Sequence, residues 1–218
     1  IFLKLSSSDF AQGLHGEIYR QTLANGKRFL IDSIDGANKD ILSLFLRRLK
    51  KTTGEQSLLL DSTIIRAHQH AAGAKGGQEK QALGRSRGGF TSKVHICTDS
   101  NGDADGLLLT GGQEHDINAA EFLTSSVPIG GTVTADKAYD SSDYRLSLLL
   151  RDITPVIPSR SNRHYRPPYD KDKYKNRHKI ECFINKLKQN RGFATRYDKL
   201  ALSFLSGTAF LCAILAIK

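Results

Sequence analysis

The chain has 218 residues, 39% hydrophobic and 25% charged, which is enough apolar material for one sizeable core and argues against disordered and fibrous classes. Its net charge of +10 points towards polyanionic partners, and three cysteines (Cys97, Cys182, Cys212) with no C-x-x-C pair speak against a disulfide framework or a zinc knuckle and fit a reducing cytosol. No basic-apolar-small leader opens the chain, and because it contains no methionine a fragment of a longer protein is expected.

Residues 1–56 read as mainly helical, with DILSLFLRRLKK (40–51) an amphipathic helix, but they carry no recognisable motif. SLLLDSTII (57–65) is short, apolar and partly β-branched, which predicts a buried strand ending near Asp61. The glycine- and base-rich stretch 71–89 lacks G-K-[ST] and reads as a mobile surface loop. TSKVHICTDSNGDADGLLLT (91–110) predicts a hairpin turning at Asn101-Gly102. Its acids imitate a calcium loop but fail the glycine and terminal-glutamate requirements, so they are taken as turn residues.

DINAAEFLTSS (116–126) predicts a helix with Asp116 near its start. GGTVTADKAYDSSDYRLSLLL (130–150) predicts a strand running into Asp136, then a helix started by Asp140, Ser141 or Ser142. ITPVIPS (153–159) reads as a proline-marked edge strand, and a Pro/Tyr/Arg-rich link (160–169) follows. YKNRHKIECFINKLK (174–188) is an amphipathic helix, and the apolar stretch 200–217 is a buried C-terminal helix in preference to a membrane span. The alternation of strands and helices gives an α/β layer around a mixed sheet.

Charge is concentrated late in the chain. Residues 160–199 hold thirteen Lys/Arg against four Asp/Glu, nearly the whole excess, with Tyr165, Tyr169 and Tyr174 interleaved, a pattern that suits phosphate backbones and stacked bases. On the 174–188 helix, about 100° per residue puts Tyr174, Arg177, Glu181 and Lys188 on one stripe and Ile180, Phe183, Ile184 and Leu187 on the neighbouring one. A lone carboxylate on such a track repels phosphate unless a cation intervenes. Magnesium, with its preference for hard oxygen ligands and its retained waters, is the obvious mediator. Asp61 and Asp136, at the expected ends of neighbouring parallel strands, would join Glu181 in a two-metal phosphoryl-transfer site. Each acid also has a plainer role open to it: Asp61 in a turn, Asp136 as a cap, Glu181 as the i, i+4 partner of Arg177. His68 and His70 form an H-x-H pair better suited to a loop or DNA contact than to zinc, His115-Asp116 could stand behind the metals or merely start a helix, and Asp140 could substitute for Asp136 but sits better as a cap.

LLLDSTIIRAHQHAAGAKGG, GRSRGGFTSKVH, GQEHD, ADKAYDS, VIPSR, YKNRHKIECFINKLK and TRYDKLALSFL together resemble bacterial insertion-sequence DDE transposases of the insertion-sequence-five group, over residues 57–218. The resemblance implies an RNase H-like α/β catalytic core with a mixed central sheet flanked by helices, following a mainly helical segment 1–56. It further implies magnesium, with manganese able to substitute, and cutting and joining of double-stranded DNA at terminal inverted repeats. Asp61, Asp136 and Glu181 fall on the catalytic, metal-holding triad. The Y-x2-R-x3-E-x6-K signature falls on Tyr174, Arg177, Glu181 and Lys188, and Lys175, Lys186 and Arg191 extend the DNA-binding set. Ala138 and Cys182 stand where the family more often has Gly and Arg, and residues 1–56 do not match the helix-turn-helix-like segment its members carry. A homodimer or larger assembly on DNA, in the cytoplasm at the nucleoid and without a membrane, is expected. Two other readings stay open: a non-catalytic DNA-binding transposon relic and an RNase H-like structure-specific endonuclease.

Overall fold

The computed structural model describes residues 57–86 and 88–216, so the expected helical segment 1–56 lies outside the described residues. Strands β1 (Ser57–Ala67), β2 (Gly84–Ser86), β3 (Gly89–Asp99), β4 (Ala104–Gly111), β5 (Thr132–Thr134), β6 (Thr154–Val156) and β7 (Thr195–Arg196) form one mixed sheet. Its order is β2-β3-β1-β5-β6, with β4 on β3 and β7 on β1. Helices are α1 (Gly77–Lys80), α2 (Ile117–Leu123), α3 (Ser142–Leu150), α4 (Lys171–Lys175), α5 (His178–Gln189), α6 (Arg191–Ala194) and α7 (Ala201–Ala216).

Strand β1 sits at the centre because both of its faces are apolar. Leu58 and Leu60 point to one side, packing with Cys97, Leu108, the α2 residues Ala119, Ala120 and Leu123, and Tyr144 and Leu148 of α3. Leu59 and Ile65 point to the other, against Ile180, Phe183, Ile184 and Leu187 of α5 and Phe204 and Leu205 of α7. The sheet is thus sandwiched between two helical layers. Each fully buried Leu or Ile contributes about 1.5–3 kcal/mol. The four apolar residues expected to form the packing stripe of α5 are all buried.

The β3–β4 hairpin forms as the Asn101-Gly102 signal predicts: Gly102 takes φ 89°, and the Asp99 carboxylate accepts the N–H groups of Asn101 and Asp103 at 2.9 and 3.0 Å. Edge strand β6 carries Pro155, as expected of a proline that cannot donate to a ladder. Three expectations need correction. β1 does not end near Asp61 but runs on to Ala67, because β3 pairs with it from Leu58 to Arg66. The stretch 71–89 is not simply a loop, since α1 and β2 form within it, Ala71, Ala82 and Leu83 are buried, and Arg85 stacks over Phe90. The helix expected over 174–188 is split, with α4 capped by the Asp170 carboxylate on the N–H groups of Asp172 and Lys173.

Candidate active site

Two of the acids are aligned by strand register. Parallel strands β1 and β5 pair Ser57 with Thr132, Leu58 with Val133 and Leu59 with Thr134, and the same offset carried two residues further matches Asp61 to Asp136. Two residues past the end of β5, the Asp136 carboxylate accepts the Ala138 N–H at 2.8 Å and opens the turn Lys137–Tyr139, so the capping role foreseen for this acid is real. β1 continues alone on that side until β7 pairs with Arg66 and Ala67. Between Leu59 and Arg66 no described strand covers this edge of β1, and Asp61 lies in the gap. The Ser62 N–H donates to Asp61 Oδ1 at 2.8 Å.

The third acid arrives from α5, whose apolar stripe packs on the same face of the sheet from which Asp61 projects. Arg177, just before the helix, joins the two acids: one terminal nitrogen donates to Asp61 Oδ2 at 3.0 Å and the other to Glu181 Oε1. The i, i+4 pairing foreseen for Glu181 is therefore also present. Arg177 Nε is buried with no acceptor. Tyr174 is half-buried beside this group.

The electrostatics are those of crowded acids around one base. Burial raises the Asp61 carboxyl above its ordinary range; Arg177 and the Ser62 N–H oppose this, while Asp136 and Glu181 add to it. Burial works against the Arg177 cation, yet Asp61, Tyr174, Glu181 and Asp136 together hold its pKa above the usual value. The two partners of one ion pair thus shift the same way, because desolvation and two further carboxylates outweigh for Asp61 what the guanidinium gives. Burial likewise raises the Tyr174 hydroxyl, with Arg177 opposing.

Three hard-oxygen carboxylates, mutually repelling, are the donor chemistry that divalent magnesium or manganese takes. With Arg177 between Asp61 and Glu181, no group of three or more His, Cys, Asp or Glu among the described residues is close enough to hold an ion. The donor types fit such an ion, which Asp61, Asp136 and Glu181 would hold.

Of the other residues singled out by sequence, Lys175, Lys186, Lys188 and Arg191 are exposed along the α4–α6 side. Lys175 pairs with Asp172 at 2.7 Å. Asp140 does not start α3, whose N-cap position is Ser141: its buried carboxylate accepts from Arg145 Nε (2.8 Å), Arg163 (2.6 Å) and the Arg160 N–H (2.8 Å). Those bonds pull its pKa below the ordinary value against the cost of burial. His68 stacks on Tyr197 and edges against His70, with no metal cluster among the described residues.

Asp116 stands at the start of α2 as expected, but its side chain makes no capping bond there. Its Oδ1 accepts from Ser62 Oγ at 2.7 Å and from Lys93 Nζ at 2.9 Å, and Lys93 Nζ also reaches the Glu114 carbonyl. This lysine-centred brace lies on the other face of β1 and fixes Ser62, the neighbour of Asp61. Sequence reasoning passed over Lys93; a lysine inside the apolar run of β3 was the available signal, since a buried ammonium requires an acid partner.

The model of the family described as "Transposase DDE domain" matches residues 52–215. This chain belongs to the transposase DDE domain family. A Brucella ovis protein named "Putative transposase for insertion sequence element IS6501" is 33% identical over 130 residues, spanning 59% of this DDE transposase chain and 100% of the relative. The two findings place the chain among insertion-sequence DDE transposases. Among solved structures, the piggyBac transposase synaptic complex with hairpin DNA aligns with TM-score 0.53 and 12% identity over 82% of this chain, which shows a shared RNase H-like fold. The chain spans 50% of that protein's length. No described helix is long and apolar enough to cross a membrane.

Proposed function

We propose that the chain is a DNA transposase of the insertion-sequence-five group, cleaving at the element's ends and joining the freed 3′-hydroxyl to target DNA. The observation that carries this reading is the lateral register of Asp61 and Asp136 with Arg177 bridging Asp61 to Glu181. Asp61, Asp136 and Glu181 would hold magnesium or manganese, which supplies Lewis acidity to the attacking and leaving oxygens of the phosphodiester.

The remaining work falls to the chain's own side chains. Arg177, whose buried Nε has no acceptor, leaves the carboxylates and donates to a phosphate beside the scissile bond, where a planar fork binds two oxygens at once. The Tyr174 hydroxyl, kept protonated, donates to and orients the strand. Lys175, Lys186, Lys188 and Arg191 track the backbone, and the uncovered edge of β1 admits the substrate. The catalytic unit begins at Ser57, with 1–56 a separate helical segment. Two ends must be joined in one event, so a homodimer or larger assembly acts on DNA in the cytoplasm.

The test is a labelled element end and a target duplex with magnesium. Nicking followed by joined product is expected, and Asp61→Ala, Asp136→Ala or Glu181→Ala should each abolish both while leaving most DNA affinity. Full nicking by any of the three removes that residue from the site. Nicking without joining would make the protein a structure-specific nuclease, and binding without nicking a transposon relic.

A further inference from the structure

Strand β1 is covered unequally beyond Asp61. Thr63 and Ile65 are buried, Ile65 in the cluster closed by α5 and α7, whereas Ile64 and Arg66 on the opposite face are exposed, Ile64 at 52%. On that opposite face α2 and α3 pack over Leu58 and Leu60, and their cover reaches as far as Ser62, whose Oγ donates to Asp116 just before α2. A central strand in a sheet with helices on both faces is ordinarily buried on both. Here one face lies open over its last turn of pleat.

The open strip leads to the site. It adjoins the edge of β1 that no described strand covers between Leu59 and Arg66. From Asp61 to Arg66 is roughly 17 Å along the strand, about five base-pair steps. At its inner end stands exposed Lys137, which follows Asp136 in the turn that packs on α2. The acids bordering the strip are engaged within the protein: Asp116 by Ser62 and Lys93, Glu114 by Asn118 at 3.0 Å, and Asp140 by Arg145 and Arg163. Arg66 and Lys137 form no ion pair with a described residue. The field over the strip is therefore positive and suits a phosphate backbone.

The bases already assigned to DNA, Lys175, Lys186, Lys188 and Arg191, lie on the α4–α6 side, and α5 packs on the face of Ile65. Two basic surfaces thus flank one sheet and meet at the edge that holds Asp61. Joining brings two duplexes to a single site, and two faces meeting at one edge can present them without overlap.

Resting on the transposase reading above, we propose that the open face of β1, with Ile64 and Arg66 as its floor and Lys137 at its inner end, seats the target duplex, while the α5 side tracks the element end. Its contacts are to phosphate and sugar, so the seat accepts any sequence.

The test uses the full chain, first in chelator so that no chemistry is needed. Protein saturated with a duplex copied from the end of its own element is titrated with a fluorescent duplex of unrelated sequence. Arg66→Glu should weaken capture of this second duplex by about fivefold or more and reduce its slope of log K against log salt by at least about 1. Ile64→Lys, which adds a cation at an exposed position, should strengthen capture by about twofold or more. Both variants should hold the element end as the parent does. In magnesium, both should nick the element end at the parental rate, with joining slowed about tenfold in Arg66→Glu. Capture unchanged in the two variants, element-end binding lost in parallel with it, or nicking and joining falling together in Arg66→Glu overturns the proposal. A parent that neither nicks nor joins overturns the transposase reading instead, and the capture titration still decides whether this face seats a duplex.

Discussion

Replacing Arg177 by methionine keeps the packed stem and removes the charge that joins Asp61 to Glu181. The bond to Asp61 links two side chains each 17% exposed, where a charge-assisted hydrogen bond contributes about 1.5–3 kcal/mol. Glu181 is half exposed, and its share is at most about 0.5 kcal/mol after screening. A net loss of about 2 kcal/mol, for a domain of this size, lowers Tm by roughly 4–8 °C. The assay is thermal unfolding of variant and parent side by side in chelator at pH 7.5 and again at pH 4.5. Without Arg177, Asp61 loses the cation that lowers its pKa, so its folded-state value rises further above the unfolded one. The penalty of a raised acid is felt above that folded value and vanishes as the proton is taken up, so the variant's deficit should shrink at pH 4.5. Millimolar magnesium should shrink it too, by supplying the missing positive charge. A deficit under about 1 °C at pH 7.5, or one that grows in acid, would refute the account of Arg177 as the charge that holds the acids together.

Asp140→Ala strands Arg145, which is nearly inaccessible, and should cost about 3–5 kcal/mol by urea unfolding at pH 7. Because the folded-state pKa of Asp140 is depressed, that difference should be complete at neutral pH and decline only as the pH falls through the depressed value. Tyr139 is buried with a hydroxyl that has no partner, so Tyr139→Phe should leave stability unchanged or raise it by up to about 1 kcal/mol; a loss of that size would reveal a hydrogen bond. Lys188→Ala should weaken DNA binding and reduce the slope of log K against log salt by about 1, measured by anisotropy titration. An unchanged slope would remove Lys188 from the phosphate track.

The sheet's order was legible where the pattern was local: the β3–β4 turn, the proline-marked edge at β6 and the buried stripe of α5 all follow from residues a few positions apart. The register of Asp61 with Asp136 needed only the idea that their strands are parallel neighbours. The length of β1 escaped, because its continuation past Asp61 is imposed by β3, more than twenty residues away. Asp140 and Asp116 escaped for a related reason. Both sit where short-range rules place caps, and both are drawn off by distant bases, Arg163 in one case and Lys93 in the other. The family resemblance made Arg177 a DNA ligand and its i, i+4 spacing paired it with Glu181, but its bond to Asp61, 116 residues away, arises only from the packing of α5 on the sheet.

Strand β7 is two residues long, yet it ties the far end of α5 to the last turn of the central strand through the Arg66–Thr195 and Ala67–Arg196 pairs. Because α6 runs directly from α5 into those pairs, a displacement of α5 along the sheet has to break them first.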